Sequence, residues 1–284
     1  FMSEIGNEDI VKAYAYGDTV ELTTANGQQK QKIKVISGRR YVNLETGEIH
    51  DMDTSNTTRF DNLKTVKQTM KKLRRLVAHN FTGGVSQLWI TLTYKVHITD
   101  PDIVYKDFKI FIRRVRKIYG HIEYIAVIEP QTSGRWHLHV LMKSDSPLFI
   151  PNSELAHFWR KGFTKTKRLK RADKIGNYLI AYLSNLQISD ESSNSKATAK
   201  GARLYMYPKG LRIYRTSRGI EKPLELTTKK GEVIETFKIN GPPDFSRTTT
   251  HETHYGIKEY TTEFYDNIKS LSDTFSGETD RPQE

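Results

Sequence analysis

The stretch IEYIAVIEPQTSGRWHLHVLM, residues 122–142, decides the fold. Two runs rich in aliphatic and aromatic residues, 122–129 and 136–142, flank Pro130, Gln131, Thr132, Ser133, Gly134 and Arg135, a composition that turns a chain back on itself. The pattern predicts an antiparallel hairpin. Side chains alternate between the faces of a strand, so His137 and His139 share one face while Leu138 and Val140 point to the other. If the two runs pair, Glu129 ends close to the level of His137. Two imidazoles and one carboxylate leave coordination positions open and suit a divalent cation, Mg2+ or Mn2+. The plainer alternatives are two part-exposed strand histidines and a surface glutamate at a turn.

Upstream, Leu88, Trp89, Ile90, Thr91, Leu92, Thr93 and Tyr94 read as a further strand. Leu63, Val66, Met70, Leu73, Val77 and Phe81 recur at spacings of three and four, which predicts an amphipathic helix over 62–81 with a basic outer face. Asp100 followed by Pro101 marks the start of a second helix, running to Tyr119 and burying Phe108, Phe111, Ile112, Val115 and Ile118. Downstream, a helix is expected over 153–160, a basic stretch over 161–174, a helix from 174 or 175 to 186, and a flexible break at 189–195. Residues 203–240 return to strand-like patterns at 203–207, 211–214 and 233–239.

This order implies an α+β fold, a central antiparallel sheet with helices packed mainly on one face. The expected division is a small β-rich arm at 1–56 with strands at 32–36 and 41–44, a core at 57–190, C-terminal strands at 191–245 packed on that core, and a loosely ordered polar tail at 246–284.

Of 284 residues, 45 are Lys or Arg and 33 are Asp or Glu, a formal charge of +12 that favours a polyanionic partner. Nucleic acid fits better than a membrane surface, because the basic residues are spread over several segments and no basic amphipathic helix with an aromatic lipid-facing side stands out. No aliphatic run approaches the roughly 20 residues that cross a bilayer, and no secretory leader is expected near Met2. The chain has no cysteine, which excludes disulfides and thiolate metal sites and suits the cytoplasm. A phosphate-binding Gly-x-x-x-x-Gly-Lys-Ser/Thr loop is also missing.

Tyr178 and Tyr182 are four apart in the helix expected after the basic stretch, so their hydroxyls share a face. Such a pair also serves simple packing. Thr91 to Tyr94, then Glu129-Pro-Gln with Gly134-Arg-Trp-His-Leu-His139, then the tyrosine helix, resemble the three ordered motifs of HUH replication initiators, most closely the Rep proteins of bacterial rolling-circle plasmids and phages. The resemblance covers roughly 57–220. It implies that Glu129, His137 and His139 hold the metal, that Tyr182 is the nucleophile with Tyr178 as the first tyrosine of a pair, and that the product is a 5′-phosphotyrosine. Asn185 stands where the family often has a lysine three positions after the tyrosine, so a charge stabiliser must come from elsewhere, Lys174 for example, unless the metal suffices.

The expected partners are single-stranded or hairpin DNA at an origin and a host helicase, with oligomeric state open. Arg135, Lys161, Lys165, Lys167, Arg168, Lys170, Arg171 and Lys174 are candidate phosphate contacts, with Trp136 or Tyr207 as stacking surfaces. Strand packing is the favoured role for Tyr205, Tyr207 and Tyr214. A mobilisation or transposition nickase of the same superfamily, and a non-catalytic nucleic-acid-binding protein, remain as alternatives.

Overall fold

The hairpin expected at 122–142 forms, in a register that pairs Glu129 directly with His137. The computed structural model describes residues 5–25, 33–44, 46–52, 63–131, 133–169, 206–253 and 256–271. Two units are distinct, Ser55–Lys222 and the combination of Phe1–Thr54 with Pro223–Glu284. In chain order the described elements begin with β1 (Ile10–Tyr16), β2 (Thr19–Thr24), β3 (Ile33–Ile36), β4 (Arg40–Asn43), β5 (Ile49–Asp51) and α1 (Leu63–Asn80). Then follow β6 (Gln87–Leu92), α2 (Pro101–Tyr119), β7 (Glu123–Pro130), β8 (Trp136–Lys143), α3 (Asn152–Trp159) and β9 (Thr164–Arg168). The last are β10 (Tyr214–Thr216), β11 (Leu224–Lys229), α4 (Lys230–Thr236), β12 (Phe245–Thr253) and β13 (Gly256–Tyr265).

The Ser55–Lys222 unit is built on one antiparallel sheet in the order β10-β7-β8-β6-β9, which puts the histidine strand β8 at its centre. Leu138, Val140 and Met142 on β8, with Ile90 and Leu92 on β6 and Ile128 on β7, are buried on one face. α2 and α3 cover that face. Phe108 of α2 meets Tyr124 edge-on at 5.0 Å, Phe111 meets Trp159 of α3 at 5.9 Å, and Trp159 meets Tyr94 at 5.1 Å. Asp100 caps α2 by accepting from Asp102 N at 2.8 Å. α1 reaches the sheet at the far end of β8, where Lys143 Nζ donates to Asn80 Oδ1 at 3.2 Å and lies over the Phe81 ring.

Ile118, expected in the core, is 64% exposed, and Val104 and Tyr105 are buried instead. The buried stripe of α2 is therefore set one turn nearer its N-terminus than the apolar spacing suggests. Within the basic stretch 161–174, residues 164–168 form the edge strand β9; alternation of threonine and lysine gives it strand character despite its charge.

In the other unit a second antiparallel sheet runs β11-β1-β2-β13-β12, with a separate sheet β3-β4-β5. β3 and β4 match the strands expected at 32–36 and 41–44, whereas the hairpin of β1 and β2 was not expected. The polar tail expected from 246 onward contains most of the hairpin of β12 and β13, whose threonine-rich strands pair from Phe245↔Phe264 to Thr253↔Gly256. The strand expected at 233–239 is largely the helix α4. Val233 and Phe237, four apart, are both buried, and that helical spacing outweighs the β-branched bias of Val233 and Ile234.

Leu138 is fully buried on the face opposite the imidazoles. Leu138→Ala is expected to lower unfolding free energy by about 2–5 kcal/mol in urea, and Ile118→Ser to change it by less than about 0.5 kcal/mol. Similar losses from the two substitutions would contradict this assignment of faces.

Candidate metal centre

Paired residues in an antiparallel ladder project to the same face. Glu129↔His137 on β7 and β8, and Thr91↔His139 on β6 and β8, therefore place Glu129, His137, His139 and Thr91 on one face. The imidazoles converge on a single oxygen: Nε2 of His137 donates to Glu129 Oε2 at 2.8 Å and Nε2 of His139 donates to the same atom at 2.9 Å. The two rings meet edge-on with centroids 4.7 Å apart. Thr91 Oγ1 lies 3.5 Å from His139 Nδ1, at the outer limit of a hydrogen bond, and the Trp89 ring stands edge-on to His139 at 6.1 Å. His139 is only 2% exposed.

Burial by itself would raise the Glu129 carboxyl, but the hydrogen bonds from His137 and His139 outweigh it and hold the group down at about 2. Burial also holds the His139 imidazole below its ordinary value, against the opposing pull of the Glu129 carboxylate. At neutral pH the pocket therefore contains a carboxylate and a neutral His139 ring. Among the described residues no lysine or arginine pairs with Glu129, so its charge has no permanent counter-ion there.

Those three residues form a group that could hold a metal ion, with one ligand atom from each and all three atoms within 4.8 Å of one another. The donor set of two imidazole nitrogens and one carboxylate oxygen is one that Mg2+, Mn2+ and related divalent ions accept. Adjacent ligands in an octahedral shell with bonds of about 2.1 Å lie about 3 Å apart, close to the spacing of each nitrogen from Glu129 Oε2. The residues fit a cation of that size.

The other expected site residues fall in different places. Arg135 closes the β7–β8 loop, where Gln131 N donates to Arg135 O at 2.6 Å, and its Nε is buried without a hydrogen-bond partner among the described residues. Gly134 takes φ +82°, a left-handed backbone that a side chain would strain. Lys161 pairs with Asp107 at 3.4 Å. Lys165 and Lys167 stand on the metal-bearing face, through the pairs Thr91↔Lys165 and Trp89↔Lys167. Arg168 is on the other face, and its guanidinium donates to the carbonyls of Val85 at 2.5 Å and Leu148 at 3.0 Å, so it braces two loops.

Trp136 and Tyr207 do not offer stacking surfaces. Both are buried, meeting edge-on at 5.2 Å, with Trp136 Nε1 donating to Thr99 O and Tyr207 OH to Ile128 O. Tyr178, Tyr182, Lys170, Arg171 and Lys174 lie outside the described residues. Thr91 is a neighbour of the ligands that the sequence places in a motif without showing its contact with His139.

Together, the fold and the site define an α+β protein with a candidate metal centre on the open face of an antiparallel sheet. Residues 87–187 match a family model described as replication-associated protein ORF2, so over that stretch the chain is similar to replication-associated proteins. The matched stretch starts at the first residue of β6 and runs past Tyr178 and Tyr182. No curated protein and no solved structure matches the chain.

Acid should weaken the fold through this site. The Glu129 carboxyl is depressed in the folded chain, so its contribution is present above the unfolded carboxyl value of about 4.3 and is lost as pH falls towards about 2. His139, lowered from 6.5, adds a loss of the same sign as pH drops below that value, because the unfolded ring takes up a proton first. Glu129→Gln should flatten the lower part of this decline in denaturant unfolding measured between about pH 5 and pH 3. Parallel pH profiles for the two proteins would be inconsistent with it.

Proposed function

We propose that the chain nicks and rejoins one DNA strand at a replication origin, as a metal-dependent HUH endonuclease that initiates rolling-circle replication. The observation that carries this reading is the convergence of two imidazole nitrogens on one carboxylate oxygen, on the open face of the sheet. The match to replication-associated proteins supports DNA as the substrate. Glu129, His137 and His139 hold the cation, with Thr91 steadying the His139 ring. When bound, Mg2+ or Mn2+ polarises the non-bridging oxygens of the scissile phosphate and offsets charge that grows there.

Tyr182 is the preferred nucleophile, with Tyr178 as the second phenol. A phenol has a pKa of about 10, so it must lose its proton as it attacks. Its oxygen bonds to phosphorus, the bond from phosphorus to O3′ breaks, and O3′ takes up a proton. The products are a 5′-phosphotyrosine and a free 3′-hydroxyl that can serve as a primer. The reverse attack by a DNA hydroxyl reseals a strand without nucleotide hydrolysis. Arg135, whose Nε lacks a partner, is suited to a phosphate next to the site. Lys165, Lys167, Lys170, Arg171 and Lys174 are further phosphate contacts, and a host helicase would supply unwinding.

Incubation with a pool of random-sequence single-stranded oligonucleotides and Mn2+ should yield a protein–DNA adduct on a denaturing gel. It should retain a 3′ label, release a 5′ label, and be absent with chelator, in His137→Ala and in Tyr182→Phe. Mn2+ at about 100 times its Kd should also stabilise the native chain by about 2.7 kcal/mol, and His137→Ala much less. A chain that gives no adduct and no metal-dependent stabilisation would not be this enzyme.

A further inference from the structure

The edge strand β9 carries a pattern of its own. Lys165 pairs with Thr91, which pairs with His139, so the lysine lies on the imidazole face two strand spacings, about 10 Å, from that ring. Lys167, on the same face, has its ammonium over the Trp89 ring at 5.9 Å. One residue before β9, Phe163 extends the ladder: its carbonyl accepts from Thr93 N and Thr93 Oγ1, each at 2.9 Å. By strand alternation Phe163 shares the face of Lys165 and Lys167, on the side towards the level of His137. The ring is 71% exposed.

We propose that Phe163 is a stacking platform for an unpaired DNA base, with Lys165 holding a neighbouring phosphate, so that single-stranded DNA follows β9 to the metal centre. This rests on the reading that the centre acts on DNA. An exposed aromatic ring followed by lysines on one face offers a π-surface and positive charge in the same track, the combination that binds single strands without reading their sequence. A protein partner would find the ring but would leave the lysines without anions. Duplex DNA keeps its bases stacked on one another and so cannot use the ring. The other two surfaces suggested by the sequence, Trp136 and Tyr207, are buried, which leaves Phe163 as the accessible aromatic residue among these three.

The test is fluorescence anisotropy with an oligothymidylate of about 20 nucleotides, longer than the about 4–16 nucleotides that one binding fold covers, in chelator so that binding is read without cleavage. Phe163→Ala is expected to weaken binding about 5- to 150-fold. Lys165→Ala should weaken it less and reduce the slope of log affinity against log salt by about 1. Phe163→Trp should keep the affinity, and its indole should be quenched by the oligonucleotide; the three native tryptophans are buried. Unchanged affinity in Phe163→Ala together with an unquenched indole in Phe163→Trp would overturn the proposal and assign the ring to a protein partner. If Phe163 governs binding but no adduct forms, the nicking reading alone fails. If an adduct forms while binding ignores Phe163, the stacking proposal alone fails.

Discussion

The site exists because β7 and β8 pair in one register. Glu129 stands opposite His137, and both imidazoles reach its Oε2. Because side chains alternate with a period of two, a slip of one residue would carry Glu129 to the side of Leu138 and Val140 and bring apolar side chains to the open face. What forbids the slip is the burial of Ile128, Leu138, Val140 and Met142 on the side covered by α2 and α3. The chemistry of one face is thus fixed by the packing of the other. Gly134, with its positive φ, allows the hairpin loop to close just beyond the site.

Two buried glutamates show what separates a structural carboxylate from a functional one. Glu263, fully buried on β13, accepts from Ile5 N at 2.9 Å and Tyr265 OH at 2.9 Å and pairs with Lys230 at 2.8 Å. Its charge is met by a permanent cation and two neutral donors, so the group is complete as it stands. Glu129 has only imidazoles, and burial keeps His139 neutral across the physiological range. The same nitrogens can donate to the carboxylate or present lone pairs to a cation. Only the second arrangement supplies the missing positive charge.

How legible this was in the sequence depends on how much of each signal is local. The capped start of α2, the periodicity of α1 and the alternation in β8 are local patterns, and each reappears in the structure. The ligand set was readable because a short hairpin brings its members together from eight to ten residues apart. β9 was hidden, since lysines mask a strand whose stability comes from pairing with β6, and with it Phe163, whose place on the metal face follows only from that pairing. β12 and β13 were hidden for the same reason: polar, threonine-rich strands carry little apolar signal, and β13 depends on β2, more than two hundred residues away in sequence. α4 was misread because a short apolar run fits helix and strand alike.

The net charge of +12 says less about the site than three side chains do. At physiological salt the Debye length is about 8 Å, so cations spread over the whole surface are largely screened from any one phosphate. They can draw DNA towards the protein, but they cannot position it. Lys165, about 10 Å from His139, acts by direct contact with a phosphate near the one being cut. Arg168, three residues further along, is equally basic and faces away, tied to the carbonyls of Val85 and Leu148. Strand alternation therefore sorts one basic run into residues that meet the substrate and residues that hold loops, a distinction that counting charges does not make.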